Sequence, residues 1–220
     1  MKLLICEGDA EIAFLYAYLK EKGHGIKKEN EDLYKLGSND NVLTKNEIID
    51  DVYIYSLKGR NLEKKFEILI KVEDEEVKEL SDIGIFMDAE DNYKKTEEMI
   101  ENIKNIMDKN SLNINVHSYI SPYNNGQNGM IEDLVMDIVK NTDLIKYIKE
   151  DTFIKLNGFI ENQGEKIKNP SKSQFLIYAA TKNPIQGQLH FFLTKEETVE
   201  KLDFENKNME EFKKFIRNFE

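Results

Sequence analysis

Cysteine is nearly absent from this chain of 220 residues, and the single one, Cys6, has no partner for an internal disulfide, a zinc knuckle or a redox pair. Disulfide scaffolds and structural zinc are therefore excluded. Arginine is almost as scarce: only Arg60 and Arg217 occur, so bidentate guanidinium clamps on phosphate are few. Positive charge as a whole is outweighed, with 31 basic against 42 acidic residues and a net charge of −11, which argues against a broad nucleic-acid-binding face built on bulk positive charge. Any phosphate chemistry needs help from metal ions. No run of about 18 apolar residues exists, and Lys2 to Cys6 runs straight into Glu7, too short for a signal-peptide core, so a cytoplasmic protein without membrane spans is expected. His24, His117 and His190 are dispersed without metal-ligand spacing. There is no Gly-Lys-Ser/Thr phosphate loop, no Gly-x-Gly-x-x-Gly after a strand and no Gly-x-Ser-x-Gly elbow. Zinc hydrolysis, triphosphate hydrolysis, dinucleotide binding and serine nucleophile chemistry all lose support.

What is present is enough apolar material, 40% of residues, to build a sizeable core. Short apolar runs at Lys2–Cys6, Val52–Tyr55, Ile83–Met87 and Ile114–Ile120 read as strands. Helical spacing marks Ala10–Leu19, Asn61–Val72, Thr96–Asp108 and Met130–Val139 between or after them. Alternating strands and amphipathic helices predict an α/β fold, a parallel sheet of about four strands covered on both faces, over residues 1–140. The polar stretch Gly23–Asp40 reads as a long surface connection, and Ser121–Gly129 as a loop. Residues 141–220 read as a mostly helical extension packed on the core. Phe175, Tyr178, Phe191, Phe192, Phe212, Phe215 and Phe219 supply its contacts, and Thr194 with Glu197 forms a capping box. His117 and His190 are assigned to packing.

Acidic groups stand at the strand ends: Glu7-Gly8-Asp9-Ala10-Glu11 after the first strand, Asp88-Ala89-Glu90-Asp91 after the third, and Glu132-Asp133 after the loop that follows the fourth. In a parallel sheet these junctions share one edge, where ligands bind. Converging carboxylates repel one another, and a hard cation such as Mg²⁺ or Mn²⁺ offsets that repulsion. Asp9, Asp91 and Asn92 suit helix capping, whereas Glu7 and Asp88, at the strand termini themselves, suit a ligand. Gly8 suits a tight turn or close backbone approach.

The segment Leu-Leu-Ile-Cys-Glu7-Gly8-Asp-Ala-Glu11-Ile-Ala-Phe-Leu resembles the first motif of the Toprim domain, the topoisomerase and primase module. Ile-Gly-Ile-Phe-Met-Asp88-Ala-Glu90-Asp91 is similar to its second motif, a strand ending in Asp-x-Asp, with Glu90 here in place of the second Asp. Gly129-Met-Ile-Glu132-Asp133-Leu, followed by Lys172 in Pro-Ser-Lys-Ser, resembles a bacterial group related to the overcoming-lysogenization-defect nucleases. The resemblance implies a Toprim-like sheet between helices and a divalent-metal site acting on phosphodiester bonds of DNA or RNA. It implies Glu7 as an acid handling protons or metal, Glu11, Asp88, Glu90 and Glu132 as metal ligands, and Lys172 as the cation meeting charge on the phosphate. Lys166 and Lys168 can substitute for it by position. A protein partner such as an ATPase is a further expectation. The competing reading is a non-catalytic Toprim-like module that binds nucleotides or a protein through its acidic edge. A topoisomerase or primase is disfavoured by length and by the missing zinc segment.

Overall fold

Lys2–Cys6 forms the first strand, β1, and Asp9–Glu21 the first helix, α1. The protein is seen as a computed structural model that describes residues 1–28, 33–38, 52–58, 62–64, 66, 80–110, 112–182 and 188–219. Four strands are parallel neighbours in the order β4 (Val52–Ser56), β1, β5 (Asp82–Asp88) and β6 (Asn115–Ser121). Taken in chain order among themselves they run second, first, third, fourth, so the order reverses between β1 and β5. That reversal opens a crevice at their carboxyl ends.

The polar stretch 23–40 departs from the expected loop. His24–Lys28 (β2) and Leu33–Ser38 (β3) pair antiparallel, and β3 pairs antiparallel with β4, so the sheet has six strands rather than four. Backbone pairing to an existing sheet edge organises this stretch without the alternating apolar pattern by which strands are recognised. Of the helix expected over 61–72, residues 62–64 and 66 are helical, with Leu62 and Phe66 buried, and the remainder lies outside the described residues.

Alternation along the strands builds two cores. Leu4, Cys6, Val52, Ile54, Phe86 and Tyr119 face α1 and the C-terminal helices, whereas Ile5, Ile83, Ile85, Met87 and Ile120 face α2 (Tyr93–Lys109). That helix carries Ile100, Ile103 and Met107 on its buried stripe and is capped by Asn92, whose side chain accepts from the Lys95 amide. Asn92 thus performs the role also expected of Asp91, which is exposed and leaves that amide to its neighbour.

After β6 come α3 (Ile131–Asp137), α4 (Thr142–Tyr147), a π-turn over Ile148–Thr152, and α5 (Phe153–Asn162). They are followed by α6 (Pro170–Ala180), α7 (Leu189–Leu193), α8 (Glu196–Val199), a 3₁₀ turn at Lys207–Met209, and α9 (Glu210–Arg217). The C-terminal segment is mostly helical and shares the α1-side core with the sheet. Phe212 stands at its centre, in ring contact with Phe14, Tyr18, Phe86 and Tyr119 at 5.1–5.5 Å between centroids. Two details differ from expectation. Phe191 is half-exposed and meets the His190 ring at a tilt of 46°, because it lies on the outer side of α7 while Phe192 lies inward. Thr194 is not a helix N-cap; it ends α7 and donates to the Phe191 carbonyl, and α8 begins after Lys195. His117 sits in β6 with a ring nitrogen 3.2 Å from Asp82 Oδ1. Among the described residues, no helix is long and apolar enough to cross a membrane.

Candidate metal centre

The chain leaves β1 at Glu7, whose amide donates to the Phe86 carbonyl of β5 at 3.1 Å. Its carboxylate turns to the same neighbour, Oε2 accepting from the Asp88 amide at 3.3 Å. The first and third acidic strand ends therefore meet at one rim, at the point where the strand order reverses. Asp88 is 6% exposed. Its Oδ1 accepts two hydrogen bonds, from the Ser121 hydroxyl at the end of β6 and from the Ile131 amide at the start of α3, at 2.9 Å for the latter. Thr96 Oγ1 donates to the Asp88 carbonyl at 3.2 Å, so main chain and side chain are both fixed.

Two helices add carboxylates from the α1 side. Glu11, three residues into α1, is 4% exposed and its Oε2 accepts from the Gly8 amide at 2.8 Å, closing the helix start on itself. Gly8 has extended backbone with φ −156°, which any residue adopts, so the turn does not demand glycine. Glu132, in the first turn of α3, is 5% exposed, and its buried Oε2 has no hydrogen-bond partner among the described residues. An orphaned, water-excluded carboxylate oxygen is costly unless something positive meets it.

Electrostatics reports the same convergence. Burial pushes the carboxyl of Asp88 well above its usual range, and the nearby charges of Glu11, Glu132 and Glu7 add to the rise against the Ser121 hydrogen bond. Glu11 is pushed up to about 7, first by burial and then by Glu7 and Glu132, against the Gly8 amide. Glu7 and Glu132 rise as well, chiefly by burial, and in both the charge of Lys172 opposes the rise. Lys172 is exposed at the start of α6, where Asn169 caps its amide at 2.9 Å. Its charge thus acts on the carboxylates of Glu7 and Glu132. Burial and Glu11 also push the Cys6 thiol up, which keeps it an inert core group.

Glu90 stands apart from the buried set. It is exposed with φ +47°, its carbonyl accepting from the Gly129 amide at 2.9 Å. It lines a cleft of about 680 Å³ together with Glu7, Asp88, Asp91, Lys95 and Glu63. A second cleft of about 490 Å³ lies across Glu90 and Asp91 and holds Lys149 and Lys168. Lys166 is exposed.

Whether this set fits a cation follows from its chemistry. Among the described residues, no three His, Cys, Asp or Glu side chains are already gathered at ligating distance. Mg²⁺ does not require such a cage, since it keeps several waters and uses one or two carboxylates plus substrate oxygens. Hard oxygen donors, mutual repulsion and the orphaned Glu132 oxygen suit a hard divalent cation and no soft one.

Three further residues, Ser121, Asp133 and Gly129, shape this neighbourhood. Ser121 reads as a loop residue and yet reaches Asp88. Asp133 Oδ2 accepts from the Met130 amide at 2.9 Å and from the Ser171 hydroxyl at 2.8 Å, which ties α3 to the residue before Lys172. Gly129, at φ +144°, makes room for that tie, since a Cβ there would lie 2.8 Å from Asp133 Oδ2. The Gly129 turn signal and the Asp at the third helical position were visible, but their partner forty residues on was not.

No curated protein and no solved structure matches the chain. Over residues 1–220 it matches the family described as "Protein of unknown function (DUF3226)", and the chain belongs to that family.

Proposed function

We propose that this protein hydrolyses phosphodiester bonds in DNA or RNA with the help of Mg²⁺ or Mn²⁺ held at the carboxyl rim of its sheet. The observation that carries the reading is the meeting of Glu7, Glu11, Asp88 and Glu132, from three separate segments, with one Glu132 oxygen buried and unpartnered. The resemblance of the Glu7-Gly8 and Asp88-Ala-Glu90 segments to the Toprim motifs supports the same assignment.

Glu7, Asp88 and Glu132 would hold the cation, with Glu11 behind them and Glu90 at the mouth of the cleft. When bound, the cation supplies charge neutralisation and a more acidic water. Glu7, half-buried and with raised proton affinity, is suited to take a proton from an attacking water. Lys172 is suited to meet negative charge developing on the phosphate. Cytoplasmic residence belongs to the same proposal, as does an ATPase as partner.

A second reading has one observation in its favour: the exposed Glu90 and Asp91, with the partly buried Glu63, make the larger cleft strongly acidic, as a non-catalytic module binding nucleotides or a protein through its edge would have.

Asp88→Asn and Asp88→Ala separate the readings. An Asn keeps an Oδ1 that accepts from Ser121 and Ile131 and replaces the other oxygen with a donor. Calorimetric titration should show that wild type binds Mn²⁺ and that both variants lose it, with loss of nuclease activity on labelled DNA and RNA, while Asp88→Asn stays folded. Mn²⁺ binding and cleavage that persist in Asp88→Asn would remove the proposal.

A further inference from the structure

We propose that Ser121 is a positioning residue for the cation site, its hydroxyl holding one oxygen of Asp88 so that the other is presented to the cleft. The inference rests on the metal reading above and adds to it a residue outside the acidic motifs.

The register of the sheet sets up the contact. Asp88 and Ser121 are paired Cα partners at the carboxyl ends of β5 and β6, so their side chains leave the same face next to each other. The Ala89 amide donates to the Ser121 carbonyl at 3.0 Å, which fixes the two backbones together just beyond the pair. Ser121 is fully buried, and its hydroxyl has one proton to give. It gives that proton to Asp88 Oδ1.

The second donor falls on the same oxygen. The Ile131 amide is the first of α3, one of the N–H groups a helix cannot satisfy internally, and it reaches Asp88 Oδ1 at 2.9 Å. Two donors on one carboxylate oxygen occupy both of its lone pairs, and neither uses Oδ2. Asp88 itself lines the large cleft. The end torsion of an aspartate is broad and roughly two-fold, so without an anchor the two oxygens exchange places. Ser121 and Ile131 remove that freedom from two directions. The Ile131 bond also places Glu132, the next residue, beside the same carboxylate. One hydrogen-bonded oxygen thus orients the Asp88 side chain and ties the start of α3, which carries Glu132, to it.

A hydroxyl that only filled space at a strand end would leave cation affinity untouched. Removal of a partner that orients a metal ligand costs about 10–100-fold in affinity. Mn²⁺ titrations by calorimetry, with Mn²⁺ electron paramagnetic resonance to count bound ion, on wild type, Ser121→Ala, Ser121→Thr and Ser121→Val test this. Thr and Val match in shape and differ in the hydroxyl, so that pair decides the matter even where Ala disturbs folding. The expected result is that Ser121→Thr binds within about threefold of wild type while Ser121→Ala and Ser121→Val bind about 10–100-fold more weakly. Equal affinity of Ser121→Thr and Ser121→Val would overturn the role of Ser121 and leave the metal reading standing. Absence of Mn²⁺ binding by wild type would overturn both.

Discussion

Neutralising Glu11 should stabilise the metal-free protein at neutral pH and leave it unchanged in acid. Its carboxyl is raised from 4.5 to about 7, by burial first and by the charges of Glu7 and Glu132 next. The folded state therefore binds this proton more tightly than the unfolded chain. Stability from that preference is complete below pH 4.5 and is lost as pH rises through about 7. At about 1.4 kcal/mol for each tenfold change in proton affinity, the loss attributable to Glu11 is about 3 kcal/mol by pH 8. Glu11→Gln keeps an oxygen for the Gly8 amide and carries no charge at any pH. Urea unfolding followed by circular dichroism, in chelator, at pH 4.5, 6, 7 and 8 should show the variant gaining on wild type by about 3 kcal/mol across this range. With excess Mn²⁺ the gain should shrink or reverse, because a bound cation stabilises the ionised acids it contacts. A difference between variant and wild type that stays within about 0.5 kcal/mol from pH 4.5 to 8 would refute the claim that Glu11 is ionised at a cost.

Two further outcomes concern the frame that holds the site. Phe212→Ala removes the ring at the centre of the aromatic cluster that joins α9 to α1 and the sheet, and should cost about 3–5 kcal/mol in the same urea assay. Gly129→Ala puts a Cβ 2.8 Å from Asp133 Oδ2 and 3.0 Å from Pro122, at a φ of +144° that side chains rarely adopt. It should lower stability by about 1–3 kcal/mol and weaken Mn²⁺ binding, both read on one purified sample.

The parallel core of the sheet was legible because β1, β4, β5 and β6 carry short apolar or β-branched and aromatic runs, and β5, buried along nearly its whole length, leaves the unbroken apolar signature of a strand covered on both faces. The hairpin of β2 and β3 was not, because Gly25, Lys27, Lys28 and Lys35 carry no such run and the pairing depends on an existing sheet edge. The acids Glu7 and Asp88 were legible from the abrupt passage of apolar strand into carboxylate. Their helical companions Glu11 and Glu132 came by resemblance, since an acid in a first helical turn has an ordinary role with the helix dipole. Ser121 could not be found this way. Its role depends on the alignment of β6 with β5, and a serine at a strand end has no periodicity to reveal which neighbour it faces.

That alignment explains why so much like charge can be gathered in one place. Three of the acids are held by a main-chain donor of another residue: Glu7 by the Asp88 amide, Glu11 by the Gly8 amide, Asp88 by the Ile131 amide. Such bonds favour the ionised form and lower the cost of burial. They do not cancel it, because all four carboxyls still hold their protons more tightly than usual. Fold stability alone gives no reason to keep four acids there, since uncharged side chains of similar size would avoid both the desolvation and the mutual repulsion. Glu132, with an oxygen that no described group meets, is the sharpest case. The unmet demand is for positive charge, and Lys172, exposed and acting on Glu7 and Glu132, answers part of it. A divalent cation at the rim, as proposed, would answer the remainder, which is the physical reason for preferring a metal centre to an acidic docking edge.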